Sequence, residues 1–111
     1  MTAYFPNKGD FVVLDFDPQT GHEQKGRRPA IVVSNTIFNK HTGMAIVCPV
    51  TSTFRNIPFH VKIPKGLKID GFIMVEQIKS VDFVSRNIKL IQIAPRSLLN
   101  EVLAILDACI Y

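Results

Sequence analysis

Short apolar segments, separated by polar stretches that contain glycine or proline, cover most of the chain up to residue 93. Several are rich in β-branched and aromatic residues, and residues 59–63 alternate apolar with polar types, which is the period of a strand with one solvated face. The pattern predicts short strands at residues 11–16, 30–33, 44–50, 59–63, 72–81 and 87–93, with turns at 39–43 and 64–71.

The last part of the chain has a different period. After Pro95, apolar residues recur with helical spacing as far as Ile110, and Pro95 suits the first turn of a helix. Short strands followed by one helix predict a mainly β fold, a compact antiparallel barrel with the C-terminal helix packed against it. A monomer of this size is too small to bury all of the broad apolar stripe of this helix, so a homodimer is expected.

Length and composition narrow the class of protein. A chain of 111 residues has room for one domain, taken as residues 1–111, and its 47% of hydrophobic residues suits an ordered core. The apolar runs are far shorter than the roughly 20 residues that cross a bilayer. The segment Met1–Asp10 lacks the pattern of a signal peptide. A cytoplasmic protein without membrane association is expected.

Cysteine and histidine positions give no support to a metal site. Cys48 and Cys109 lie in apolar segments without CxxC spacing, so both are expected to be buried thiols in a reducing compartment. The three histidines lie far apart and show none of the short spacings of zinc ligands. We therefore expect neither a metal nor another cofactor.

The longest polar stretch, Gln19–Arg28, contains two glycines and has no hydrophobic period, which predicts a long surface loop. Pro29 restricts Arg28 to an extended conformation at the point where this loop meets a strand. The net charge of +4 and the pI near 9.3 favour attraction to polyanions. Lys25, Arg27 and Arg28 supply part of the excess.

The loop also contains residue types that RNA cleavage requires. Without a metal, the neighbouring 2′-hydroxyl can act as nucleophile, which needs a base, stabilisation of charge at phosphorus and a proton for the leaving oxygen. Glu23 is the candidate base, and Arg28 is the candidate for charge stabilisation because a guanidinium binds phosphate oxygens at two points but is a poor acid. Arg27 and Lys25 are candidate phosphate-binding cations. The same composition also fits a solvated loop without a catalytic role.

Polar residues elsewhere extend the candidate site. Thr51 and Ser52, at the end of a buried strand, could bind a phosphate or orient the arginine, although hydroxyls at such positions often only form turns. Gln77 and Lys79 interrupt an apolar strand, where alternation would place both on one face with Val75. An ordinary exposed face of the barrel, without a role in binding, is the slightly favoured interpretation of this second arrangement.

Three motifs, in this order, resemble the MazF/PemK family of toxins. The first comprises Gly9-Asp10, Asp15-Phe16-Asp17-Pro18, Gly21-x-Glu23-x-x-Gly26-x-Arg28-Pro29-Ala30 and Ile31-Val32-Val33-Ser34. The others are Pro49-Val50-Thr51-Ser52 and Gln77-Ile78-Lys79-Ser80-Val81-Asp82. The resemblance extends from about Lys8 to the last helix, and three ordered motifs at the expected separations are far more specific than any one of them.

The resemblance implies an SH3-like barrel with a C-terminal helix, a homodimer, and a sequence-specific, metal-independent endoribonuclease, or mRNA interferase. Such an enzyme cleaves single-stranded RNA and leaves 2′,3′-cyclic phosphate and 5′-hydroxyl ends. Arg28 and Thr51 correspond to the central catalytic pair, Glu23 to the loop glutamate, and Gln77 to a residue that helps to hold RNA; we group Lys79 with Gln77. A cognate antitoxin, whose flexible and often acidic tail wraps the dimer, is also implied.

Two alternatives stay open at this point. A toxin of the same fold could inhibit DNA gyrase by binding it, without catalysis; such relatives act through C-terminal residues and do not need the loop signature. A non-enzymatic RNA-binding barrel would normally expose aromatic residues for base stacking. This chain has no tryptophan, and most of its eight phenylalanines occupy positions typical of a core.

Overall fold

The computed structural model describes residues 4–16 and 27–111. Its elements follow in chain order. They are β1 Asp10–Asp15, β2 Arg27–Val32, α1 Thr36–Thr42, β3 Met44–Thr51, β4 His60–Lys62, β5 Phe72–Met74, a 3-10 helix Val75–Gln77, β6 Lys79–Asp82, β7 Lys89–Ile93 and α2 Arg96–Ile110.

All the recorded strand pairs are antiparallel, and the hydrogen-bonded path runs β4-β5-β3-β2-β1-β7. Strand β3 is long enough to pair with β6 along its first half and with β5 at its end. Within residues 4–16 and 27–111 the path does not close, since β4 and β7 remain its two ends. The predicted mainly β class with a C-terminal helix is confirmed. The sheet formed by the described residues is open, whereas a closed barrel was predicted.

Each face of the sheet carries its own buried cluster, because successive residues of a strand point to opposite faces. One cluster includes Phe11, Ile31 and Ile73 and packs against α2 through Leu98 and Val102. The opposite cluster lies on the other face and is built from Val12, Leu14, Phe16, Ala30, Val32, Ala45, Val47, Val81 and Phe83. The candidate site described below lies on this second face.

Helix α1 corrects the predicted turn at residues 39–43. Asn35 caps its start, where the side-chain oxygen accepts a hydrogen bond from the Phe38 backbone N–H at 2.8 Å. Gly43, at φ +71°, ends the helix in the left-handed conformation that glycine adopts without steric cost. Fully buried Asn39 secures the helix to the N-terminal segment by donating a hydrogen bond to the Pro6 carbonyl at 2.9 Å.

The predicted strand at residues 72–81 is interrupted by the 3-10 helix, so the expected alternation is wrong. Val75 and Val81 are buried, whereas Gln77 and Lys79 are exposed. The physical reason is that a 3-10 turn advances three residues per turn and resets the two-residue period of the flanking strands.

Both cysteines are free, but only Cys48 is buried. The expectation of a buried Cys109 is wrong because it lies in the last turn of α2, where Ile110 is also exposed, as is Tyr111 directly after the helix. In the part of the chain that the structure describes, no helix has both the length and the apolar character that a membrane span requires.

Candidate active site between strands β2 and β3

The register between β2 and β3 relates two candidate residues, Arg28 and Thr51, that lie far apart in sequence. Its recorded pairs are Ala30 with Pro49, Ile31 with Cys48 and Val32 with Val47. Continued by two residues towards the start of β2, the same register sets Arg28 opposite Thr51. Directly opposed residues of an antiparallel pair have Cβ atoms about 5 Å apart and project on one face. The recorded pairs end at Ala30 and Pro49, so it is the extended register that directs the Arg28 guanidinium and the Thr51 hydroxyl to the same face.

The same line continues across the sheet. Thr51 pairs with Phe72 of β5, and Phe72 pairs with Lys62 of β4. We call Arg28, Thr51, Phe72 and Lys62 the cross-strand row. Adjacent strands lie about 4.8 Å apart, so a row over four strands spans about 14 Å. A cation stands at each end of this row.

Lys79 adds a third cation on this face. It pairs directly with Val47, which alternation places on the same side of β3 as Thr51. Its Nζ lies 5.5 Å from the centre of the Phe16 ring, within the range of a cation–π contact. The ring of Phe16 thus helps to orient the exposed ammonium group of Lys79.

A hydrogen bond from the backbone orients the hydroxyl of Thr51. The backbone N–H of Thr53 donates a hydrogen bond to Thr51 Oγ1 at 3.1 Å. A hydroxyl that accepts one such bond keeps its own proton for donation to a ligand. Thr51 is only half-buried, so a ligand has access to that proton.

Gly71 packs against the backbone of Thr51. The sequence predicted only that Gly71 lies in a turn. It has φ +120°, and a Cβ at this position would lie 2.3 Å from the Thr51 carbonyl oxygen. No L side chain fits this contact without movement of the end of β3. The turn-rich composition of residues 64–71 was the only signal in the sequence, and it carried no information about the partner.

Arg27 differs from its neighbour because consecutive residues of a strand point to opposite faces. Its guanidinium binds Asp15 Oδ1 at 3.2 Å, donates to the Val13 carbonyl at 3.2 Å and also donates to the Asn87 carbonyl. These contacts join the start of β2 to β1 and to the turn before β7. Its predicted contact with RNA phosphate stays a prediction.

The remaining candidates are less closely grouped. Ser52 is exposed directly after Thr51, and Gln77 is exposed in the 3-10 helix. Glu23 and Lys25 lie outside the described residues, so their roles also stay predictions.

A buried histidine secures the 3-10 helix that carries Gln77. His60 Nε2 lies 2.9 Å from Glu76 Oε2, with the imidazole 3% exposed. Burial alone raises the pKa of Glu76, but hydrogen bonds, first that with His60, outweigh this effect and lower its pKa below the ordinary value. Glu76 is therefore a stable carboxylate anchor near neutral pH. The sequence showed no sign of this pair because its members are 16 residues apart.

The arrangement suits a phosphodiester group chemically. A guanidinium can bind its non-bridging oxygens in a two-point manner, and the neighbouring hydroxyl can donate to a third position. Among the described residues, no group of three or more His, Cys, Asp or Glu side chains could hold a metal ion.

Comparison with known proteins agrees with this chemistry. The family described as PemK-like, MazF-like toxin of type II toxin–antitoxin system matches residues 7–110. Endoribonuclease toxin MazF of Escherichia coli strain K12 is 38% identical over 86 residues, which is 78% of this chain and 77% of that protein.

Two solved structures from Deinococcus radiodurans share the fold over nearly their whole length. A crystal structure of MazF has a TM-score of 0.87 and 40% identity, covering 97% of this chain and 98% of that one. A crystal structure of MazE–MazF has a TM-score of 0.86 and 34% identity, covering 97% of each chain.

The class is that of a small β-sheet toxin of a type II toxin–antitoxin system. The chain belongs to the PemK-like, MazF-like toxin family. The family and the enzyme class, an endoribonuclease, that were predicted from the sequence are confirmed. The alternative of a non-catalytic inhibitor of DNA gyrase is not favoured.

Proposed function

We propose that this protein cleaves single-stranded mRNA at selected sequences, without a metal ion, by attack of a 2′-hydroxyl on the adjacent phosphorus. The products are a 2′,3′-cyclic phosphate and a 5′-hydroxyl. The proposal is supported by the β2–β3 register, which sets Arg28 opposite Thr51 when it is extended two residues beyond the recorded pairs.

Arg28 binds the non-bridging oxygens and stabilises the negative charge that develops on the pentavalent phosphorus. Thr51 donates its hydroxyl proton to the same phosphate and orients it. Glu23 accepts the proton of the attacking 2′-hydroxyl, a role that rests on the family motif in the sequence. The bond from phosphorus to the 5′-oxygen breaks, and the leaving 5′-oxygen takes up a proton from solvent water.

Binding of the RNA chain spreads over a wider set of side chains. Lys79 neutralises phosphate on the face that carries Arg28, and Ser52 and Gln77 donate hydrogen bonds from the two neighbouring segments. Lys25 and Arg27 are further phosphate-binding candidates, and both assignments rest on the sequence. These contacts account for binding of a polyanion and predict a strong dependence of affinity on salt.

We also assign two protein partners and a location. A second copy is supported by exposed apolar side chains, such as Leu90 and Ile93 on the end strand β7, with Ile93 72% exposed. The family description and the MazE–MazF crystal structure support a cognate antitoxin as the partner that inhibits the enzyme. The site of action is the cytoplasm, where mRNA is available.

Arg28→Ala tests the assignment on a labelled single-stranded RNA with a chelator present. We expect a loss of cleavage of at least about 10²-fold, as for removal of a donor that stabilises a transition-state oxyanion. Arg96→Ala is the matched control, because it removes the same charge from the exposed start of α2. Thermal unfolding checks that both variants fold. Full activity of Arg28→Ala would refute the role of this guanidinium, and loss of wild-type activity with chelator would refute metal independence.

A further inference from the structure

Phe54 is an exposed aromatic residue beside the cross-strand row. Its side chain is 68% exposed, although it follows Thr51 by only three residues. Its ring packs at 5.5 Å and 61° against Phe72, the residue that pairs with Thr51. An edge-to-face contact holds one aromatic ring against another and leaves ring surface free. Phe72 thus packs against one side of the Phe54 ring, and the rest of the ring is open to solvent.

Positive charge accompanies this ring. Lys62 Nζ lies 5.4 Å from the centre of the Phe72 ring, so the ammonium group is held next to the aromatic pair. Arg55 follows Phe54 directly in the chain, and residues 40–69 contain no aspartate or glutamate. Lys62 and Arg55 therefore favour an anionic occupant, and the exposed ring favours one that also offers a flat apolar face.

Single-stranded RNA has both properties, because each nucleotide joins a phosphate to a base with a π-face. We propose that Phe54, Phe72 and Lys62 form a base-stacking subsite for a nucleotide next to the scissile phosphate. The base stacks on Phe54, Phe72 holds that ring in place, and Lys62 binds the phosphate of the same segment. The inference rests on the proposed cleavage of RNA between Arg28 and Thr51, and it extends the binding surface towards β4.

The distances along the row are consistent with one nucleotide chain. Phe72 is one strand from Thr51 and Lys62 is two strands away, so the cation is about 10 Å from the hydroxyl. RNA bound at Thr51 would reach Phe54 and Lys62 on the side away from Arg28. The subsite therefore contributes to affinity and to the choice of the neighbouring base, whereas the chemistry stays at Arg28 and Thr51.

The first experiment compares variants on a short RNA that spans a cut site mapped with the wild-type protein. Phe54→Leu should raise KM about 10-fold, the loss expected for one stacked base, with kcat nearly unchanged. Phe54→Trp should restore KM, since it keeps a stacking surface. Phe38→Leu makes the same chemical change on α1, next to the start of β3, and should have no effect.

A second experiment detects the stacked base directly and does not need cleavage. The chain has no tryptophan, so Phe54→Trp introduces a single indole. Poly(A), poly(U) and the mapped oligonucleotide with 2′-deoxyribose at the attacking position should each quench its fluorescence. Lys62→Met should lower the slope of log affinity against log salt by about 0.7, the value for one phosphate contact on a single strand.

The outcomes separate this inference from the proposed function. If the wild type cuts RNA but Phe54→Leu has a normal KM and the indole is not quenched, the subsite is wrong and the nuclease stands. If nothing is cut but single-stranded RNA quenches the indole, the subsite stands as an RNA-binding surface. A change in oligomeric mass of Phe54→Leu with unchanged RNA affinity would assign the ring to contact between copies and overturn the proposal.

Discussion

The contact between Gly71 and Thr51 allows a quantitative test of how the fold positions the hydroxyl that we propose to be catalytic. A Cβ at residue 71 would lie 2.3 Å from the Thr51 carbonyl oxygen, whereas ordinary contact begins at 3.4 Å. In Gly71→Ala the end of β3 must therefore move by about 1 Å, a displacement that can cost about 10²-fold in rate when it affects a reacting group. We expect kcat for RNA cleavage to fall by about that factor.

The same substitution also costs stability, because φ +120° is a conformation that L side chains rarely adopt. Such a residue costs about 1–3 kcal/mol, or a fall in Tm of very roughly 5–20 °C for a domain of this size. Gly66→Ala is the matched control, since Gly66 has φ +97° but nothing within 4 Å of the added Cβ. Both variants bear the backbone strain, and only Gly71→Ala disturbs Thr51.

The assay is single-turnover cleavage of a labelled RNA at a temperature well below the Tm of both variants. Equal rates for Gly71→Ala and Gly66→Ala would refute the claim that Gly71 positions the catalytic strand end. In a Thr51→Val background, Gly71→Ala should have little further effect on rate, because the hydroxyl that it displaces is already absent. An undiminished effect there would show that Gly71 acts through another group.

Three further predictions follow from individual side chains. Thr51→Val should lower kcat about 10²-fold or more and Thr51→Ser should keep most of the activity, since the role depends on a donated hydroxyl proton; equal activity of the two variants would contradict it. The lowered pKa of Glu76 means that its bond with His60 contributes stability above the ordinary pKa of 4.5 and that this contribution is lost as pH falls through the lowered pKa. Glu76→Gln should accordingly lower Tm at pH 7 and have a diminishing effect below pH 4.5, and a Tm difference that grows in acid would be the opposite result. Burial raises the pKa of the Cys48 thiol to about 12, so iodoacetamide should label Cys109 in the folded protein and both thiols only after denaturation, as counted by mass spectrometry.

Local periodicity determined much of the fold. The helical spacing after Pro95 predicted α2, and the apolar runs predicted β1, β2, β3 and β7 to within a few residues. Such signals are readable because each depends on residues that are neighbours along the chain. The same local rules failed at α1, whose second half and Gly43 end were predicted as a turn at residues 39–43, and at the 3-10 helix, where the strand period is broken.

The motifs in the sequence also indicated Arg28 and Thr51 as a pair, but only the tertiary structure distinguishes the surroundings of each candidate. Arg27 and Arg28 are adjacent in sequence, yet strand alternation places Arg27 against Asp15 and leaves Arg28 in the cross-strand row. The contact of Gly71 with Thr51 and the support of Phe54 by Phe72 join residues about 20 positions apart. Strand register decides such contacts, and register depends on how the whole sheet buries its two apolar clusters, which no local pattern records.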